Sequence, residues 1–242
     1  MDILPLKHFL AIFLSSFALS LVLTPLMRKT AVSLGRVAVP KDDRWHSKET
    51  ALLGGGAIFA AFAVTWVLSA WLAGWSAYGA PYLPVILCAT GIFVLGLVDD
   101  MVTIGPQHKL GGQIIAASIL VSLDFRLGWV DSETIDLFLS ILWIVGITNA
   151  FNLLDNMDGL SAGIAFIAAG FVCLTLYLNP SSFSPGGLVL IPAAAYLGAT
   201  LGFLVYNFYP ASIFMGDAGS LFIGFVLACM TMISGSAGVG EG

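Results

Sequence analysis

Asn149-Ala150-Phe151-Asn152-Leu153-Leu154-Asp155-Asn156-Met157-Asp158-Gly159-Leu160 interrupts a chain that is otherwise about as apolar as a lipid tail. Three Asn and two Asp fall within these twelve residues. On either side lie unbroken apolar runs, 135–152 and 160–178. Each is about as long as the ~20 residues needed to cross a bilayer as a helix. Polar groups of this kind at the mouth of an apolar helix are costly unless they bind something.

The same pattern repeats along the chain. Of 242 residues, 59% are hydrophobic and 10% charged, with a mean hydropathy of +0.99, whereas a soluble domain is about 25% charged. Eight apolar segments stand out, at about 7–27, 52–73, 81–98, 110–123, 135–152, 160–178, 187–206 and 219–234, the fourth being the shortest. None alternates as a barrel strand would. The expected class is an all-α, polytopic integral membrane bundle of about eight transmembrane helices, forming a single domain over 1–242. The net charge of −5 says little about partners, because the charges are few and clustered, but with no basic, aromatic-interleaved run nucleic acid is not expected as one. Cys88, Cys173 and Cys229 lie inside apolar runs and fit neither a disulfide framework nor a zinc site.

Lys and Arg set the expected orientation. Arg28, Lys29, Arg36, Lys41, Arg44, Lys48 and Lys109 fall on one side and only Lys7 and Arg126 on the other. The first side is read as cytoplasmic, so the N-terminus starts outside. The first span carries its positive charge after the apolar run, at Arg28 and Lys29, unlike a cleaved leader. Segments 28–51, 99–109, 152–159 and 207–218 then lie inside, and every unusual polar cluster falls in them.

Each cluster has a plain reading and a chemical one. Arg44, His46 and Lys48 could be a positive-inside anchor, yet they lead into Gly54-Gly55-Gly56, where backbone can approach a phosphate. Asp99-Asp100 could be a wetted helix end, but two acids at a helix C-terminus oppose its dipole and repel each other unless a cation is present. Asn149, Asn152 and Asp155 form one row if the helix persists. Asp158-Gly159 looks like a turn. Asp217, in Phe214-Met215-Gly216-Asp217-Ala218-Gly219-Ser220, suits either an N-cap or a metal-bound phosphate. Hard oxygen donors without His/Cys spacing point to Mg²⁺ or Mn²⁺. Gly198-x-x-x-Gly202 and Ser220-x-x-x-Gly224 have the small-residue spacing of close helix contacts.

Gly-Leu-Val-Asp99-Asp100, Asn149-Ala-Phe-Asn152-Leu-Leu-Asp155-Asn-Met-Asp158-Gly159-Leu and Phe214-Met-Gly216-Asp217-Ala-Gly219-Ser resemble the signature segments of the polyprenyl-phosphate N-acetylhexosamine-1-phosphate transferases. Arg44-Trp-His46 followed by Leu-Gly54-Gly55 is similar to that family's first cytoplasmic loop. The likeness runs from about residue 25 to 234. It implies a multi-pass enzyme of the bacterial cytoplasmic membrane with its site on the cytoplasmic face, and it leaves room for a homodimer. The implied reaction moves an N-acetylhexosamine 1-phosphate, foremost GlcNAc-1-phosphate, from a UDP-amino sugar to a polyprenyl phosphate such as undecaprenyl phosphate, releasing UMP. This is the first membrane step of an envelope polysaccharide such as lipopolysaccharide or teichoic acid. The phospho-MurNAc-pentapeptide branch of peptidoglycan synthesis is the alternative.

By the same resemblance Asp217 is the metal ligand with Asn152 as a second. Asp99 and Asp100 are the catalytic pair near the lipid phosphate. Lys48, Asp155, Asp158, Asn207 and Phe214 bind substrate, Phe214 as a stacking surface for uracil. Members of that family are longer and carry a His-rich cytoplasmic segment before their last spans. His8, His46 and His108 all come too early to match it, so that segment and the last helices are expected to be missing from these residues.

A cation or solute transporter built on intramembrane Asp and Asn is the competing reading. It calls for polar groups at the bilayer midplane and for repeated, broken helices. Vesicles separate the two: the transferase releases UMP from UDP-GlcNAc, and cation uptake without UMP release is the transporter's outcome.

Overall fold

The computed structural model describes residues 4–38, 50–78, 80–178 and 186–236. Eight helices account for most of them: α1 Leu6–Ser33, α2 Gly55–Tyr78, α3 Leu83–Val102, α4 Pro106–Ser122, α5 Glu133–Leu154, α6 Leu160–Leu178, α7 Gly186–Asn207 and α8 Gly216–Ser236. Two two-residue strands, β1 Val37–Ala38 and β2 Thr50–Ala51, pair antiparallel between α1 and α2. Their small ladder is outside any span. The Phe214 N–H donates to Ala51 O (2.8 Å) and the Gly54 N–H to Phe214 O (2.9 Å), so the entry to α2 is zipped to the entry to α8.

Seven helices are long and apolar enough to cross a membrane. The exception is α4, whose 17 residues give about 25 Å at the usual helical rise, short of the roughly 30 Å hydrocarbon core. The loop that follows has two of its backbone amides paired to side chains of α5. The Leu127 N–H donates to Ser140 Oγ (3.0 Å) and the Trp129 N–H to Asp136 Oδ1 (3.1 Å). Asp136, which falls inside the fifth apolar segment, is buried beside that loop.

The hub consists of α7 and α8. In each, 78% of the apolar window is buried inside the protein, against 17% for α1. They are also the least hydropathic spans with α2, because protein rather than lipid surrounds them. Small residues allow this packing. Ser16 and Ser20 of α1 donate to Ala195 O and Ala199 O of α7, and a Cβ at Gly198 would lie 2.3 Å from Phe13 O. A Cβ at Gly224 would lie 2.9 Å from Phe151 Cβ on α5. Both small-residue spacings seen in the sequence are thus contact sites. Stacked Phe59 and Phe93 (4.1 Å) meet the edge of Phe222, joining α2 and α3 to α8.

The C-termini of α1, α3, α5 and α7 and the N-termini of α2, α4, α6 and α8 meet at one end of the bundle. Among the boundaries there that differ from expectation, two bear on the polar cluster. α3 runs on to Val102, so Asp99 and Asp100 lie in its last turns. α8 begins at Gly216, so Asp217 is inside its first turn rather than ahead of it. In both cases contacts with a neighbouring helix extend the helix past the point where hydropathy falls.

Two helix backbones also meet closely at Gly55 of α2 and Gly219 of α8. A Cβ on Gly55 would sit 2.3 Å from Gly219 N and 2.4 Å from its Cα, both backbone atoms that cannot swing aside. Gly55→Ala should therefore destabilise the protein by about 1–3 kcal/mol. Gly91→Ala, where a Cβ meets nothing within 4 Å, should be neutral or stabilising by up to about 1 kcal/mol. Thermal unfolding in detergent checks the pair, and equal melting temperatures for the two variants would contradict the packing argument.

Candidate active site

The site grows from an arrangement that neither helix alone would tolerate. Asp100 ends α3, where the dipole disfavours an anion, but it faces the N-terminus of α8. Its Oδ1 accepts from the Asp217 N–H (2.8 Å) and its Oδ2 from the Ala218 N–H (3.0 Å). Asp100 is thus a helix cap supplied from another helix. Asp217, a candidate N-cap by sequence, does not cap its own helix. Gly216 makes room: its φ is +74°, and a Cβ there would lie 2.7 Å from Asp100 Oδ2.

Freed from capping, the Asp217 carboxylate points to other partners. Its Oδ1 accepts from Asn152 Nδ2 (2.8 Å), and its Oδ2 lies 2.6 Å from Lys109 Nζ. The same ammonium lies 2.7 Å from Asp99 Oδ2, while Asp99 Oδ1 accepts from the Ile104 N–H (2.6 Å). Asn152 also donates to the buried Ser220 Oγ (2.9 Å). Lys109 therefore bridges α3 and α8 from the first turn of α4. The sequence reading used it only to set orientation. Its position ten residues after Asp99, on the same inner connection, was the available signal. Ser220 was noted for packing alone.

Asp100, Lys109, Asn152, Gly216 and Asp217 line a cavity of about 920 Å³, together with Asp155, Asp158, Asn207, Phe214 and Tyr209. Asp155 accepts from the Gly216 N–H. Burial, then the charges of Asp217 and Asp100, holds its carboxyl well above the usual carboxylate range. Asp158 and Asn207 do structural work beside the cavity. Asp158 Oδ2 accepts from the Ala211 N–H (2.9 Å), Asn207 Oδ1 accepts from the Gly159 N–H (3.1 Å), and Asn207 Nδ2 donates to Ile213 O (3.0 Å). They tie the α5–α6 turn to the α7–α8 loop. Lys48, with Arg44 and His46, lies outside the described residues. Asn149 is away from the cavity: it is paired with Gln113 of α4 and donates to Val145 O (2.8 Å).

Four carboxylates, Asp99, Asp100, Asp155 and Asp217, thus gather about one ammonium. Among the described residues no three His, Cys, Asp or Glu side chains form a ready-made metal cage. Mg²⁺-type ions commonly take one or two protein oxygens and share the rest of their shell with water and phosphate. The excess of negative charge and the oxygen donors on Asp217 and Asn152 fit such a cation.

Fold and site together define a polytopic helical membrane protein with an acidic cavity at one end of its bundle. The sequence profile of glycosyl transferase family 4 matches residues 82–235. A probable undecaprenyl-phosphate N-acetylglucosaminyl 1-phosphate transferase of Bacillus subtilis is 34% identical over 237 residues, 91% of this chain and 62% of that protein. A decaprenyl-phosphate N-acetylglucosaminephosphotransferase of Mycolicibacterium smegmatis is 32% identical over 92% of this chain and 59% of its own length. A phospho-N-acetylmuramoyl-pentapeptide-transferase of Latilactobacillus sakei is 30% identical over 93% of this chain and 76% of its own. The chain belongs to glycosyl transferase family 4. It spans about six-tenths of the length of the first two relatives, and the membership leaves the transporter reading without support.

Asp155 makes the site sensitive to pH. Its folded-state pKa is raised, so the stability it contributes is complete below the ordinary carboxylate value of about 4 and fades as pH rises through the raised value. Asp155→Asn keeps the neutral form at all pH values. Its melting temperature relative to the parent, in chelator, should rise as the pH is raised above about 4. A difference that stays constant as the pH is raised would refute the assignment.

Proposed function

We propose that the protein transfers an N-acetylhexosamine 1-phosphate, in the first instance GlcNAc-1-phosphate, from a UDP-sugar to a polyprenyl phosphate, releasing UMP. The observation that carries the reading is the acidic cavity itself. In a member of this family, four carboxylates against one ammonium make a phosphate-handling site only if a divalent cation is shared with the substrate. The relative at 34% identity is named for GlcNAc-phosphate transfer, against 29–32% for relatives named for the pentapeptide form, and it supports that donor. The site would face the cytoplasm, with the N-terminus outside, as the Lys and Arg distribution indicates.

In this reading an oxygen of the lipid phosphate attacks the sugar-bearing phosphorus of the nucleotide. A new P–O bond forms, the bond between the two phosphates breaks, and its electrons leave with UMP. Asp217 and the side-chain oxygen of Asn152 would hold Mg²⁺, or Mn²⁺ in its place. When bound, the ion offsets charge on the diphosphate. The attacking phosphate is already ionised near neutral pH, so no general base is needed. Asp99 and Asp100 accordingly act by position. Asp100 fixes the first turn of α8 and with it Asp217, while Asp99 anchors Lys109. Lys109 is the only cationic side chain among the described residues lining the cavity, and it would hold phosphate oxygens there. Phe214 offers an aromatic face for the base, and Asp155 and Asp158 offer polar groups for the nucleoside.

In membranes carrying the whole natural chain, Asp217→Asn should lower divalent-dependent UMP release on the order of a hundredfold or more. UDP-GlcNAc should outperform UDP-MurNAc-pentapeptide as donor. Near-normal turnover in the variant would remove Asp217 from the metal site, and the reverse donor preference would move the protein to the peptidoglycan branch.

A further inference from the structure

The carboxylates of Asp99, Asp100 and Asp217 present six oxygens, and each has a donor. Three of the donors are backbone amides, those of Ile104, Asp217 and Ala218. Those of Asp217 and Ala218 start α8 and cannot leave without unwinding helix, and that of Ile104 lies in the three-residue connection between α3 and α4. A fourth is Asn152 Nδ2, held also by Ser220 Oγ. The remaining two contacts, at 2.6 and 2.7 Å, are made by one group, the Lys109 ammonium. Lysine differs from the others in being a point charge on a flexible four-carbon stem. Its side chain is 20% exposed and borders the cavity of about 920 Å³, so it has somewhere to go.

We infer that Lys109 is a built-in counter-ion, occupying the cation position between Asp99 and Asp217, and that a divalent cation on Asp217 displaces it into the cavity. An ammonium in hydrogen-bond contact with Asp217 Oδ2 and a divalent ion on the same carboxylate would repel each other at close range, where little water screens them. A metal–oxygen bond of about 2.1 Å also takes the space that the ammonium holds. Metal binding and release of Lys109 are therefore linked: each cation on the cluster weakens the other. The exchange holds the charge of the cluster in check before the metal arrives. It then turns a lysine bound to protein into one directed at the anionic contents of the cavity.

This inference rests on the reading of Asp217 as a cation ligand, and the test separates the two. The probe is Mn²⁺ alone, titrated by electron paramagnetic resonance into the purified whole protein without substrate. Amine acetylation of Lys109 is followed by mass spectrometry in parallel. Lys109→Gln should bind Mn²⁺ about tenfold or more tightly than the parent, and Lys109→Arg within about threefold of it. In the parent, Mn²⁺ should raise Lys109 acetylation at least about threefold, a readout that needs no variant to fold. Equal or weaker Mn²⁺ binding by Lys109→Gln, or acetylation unmoved by saturating Mn²⁺, overturns the displacement. Asp217→Asn discriminates between the failures. If it binds Mn²⁺ like the parent, the cation site has been misplaced and the inference falls with it. If it loses Mn²⁺ while parental Lys109 acetylation ignores the metal, the site stands and only the displacement is wrong.

Discussion

One contact constrains most of this molecule: the Asp100 carboxylate at the end of α3 held by the first amides of α8. A cap of this kind contributes roughly 1–2 kcal/mol, and charge-assisted hydrogen bonds to the backbone are among the stronger ones. Its larger effect is geometric. Most of α8 is buried among its neighbours, and its N-terminal amides take their acceptor from the protein. Supplying it from α3 sets the mutual height of two helices. It also releases Asp217 from capping and turns its carboxylate into the cavity. Gly216, with its positive φ and no Cβ, and Gly55 against Gly219 make the close approach possible.

The second theme is charge. Acids rarely gather at the apolar end of a membrane bundle without compensation. Here the compensation is a single lysine between two aspartates and a hydrogen-bond network that reaches Asn152 and Ser220. Asp155 adds a fourth carboxyl, kept toward its neutral form by burial and by the nearby acids. A site so arranged resists added anions until a cation joins it, which is the condition a diphosphate substrate would exploit.

The stretch 149–160 divides its work more finely than its polarity suggests. Asn149 braces α5 against Gln113 of α4, one helical turn from Lys109, while Asn152 turns to α8. Asp158 and the Gly159 amide tie the turn to the α7–α8 loop through Ala211 and Asn207. The polar residues here are partly site and partly joinery, and the joinery holds the cavity open on that side.

Hydropathy and polar interruptions alone were enough to establish an all-helical membrane bundle, to locate its spans within a few residues, and to bring Asp99, Asp100, Asn152, Asp155 and Asp217 to one end. These features are legible because the bilayer demands long apolar runs and isolates any polar exception. Local chain order could not reveal which helix end each acid would serve. Asp100 caps a helix 117 residues away, Lys109 reaches Asp217 across 108, and Asn207 braces a turn 48 residues earlier. Such partners are chosen by packing at the hub, where small residues let α7 and α8 be enclosed. The same packing makes Asp136 a buried support for the loop after a helix too short to span, and no local pattern in the sequence encodes that role.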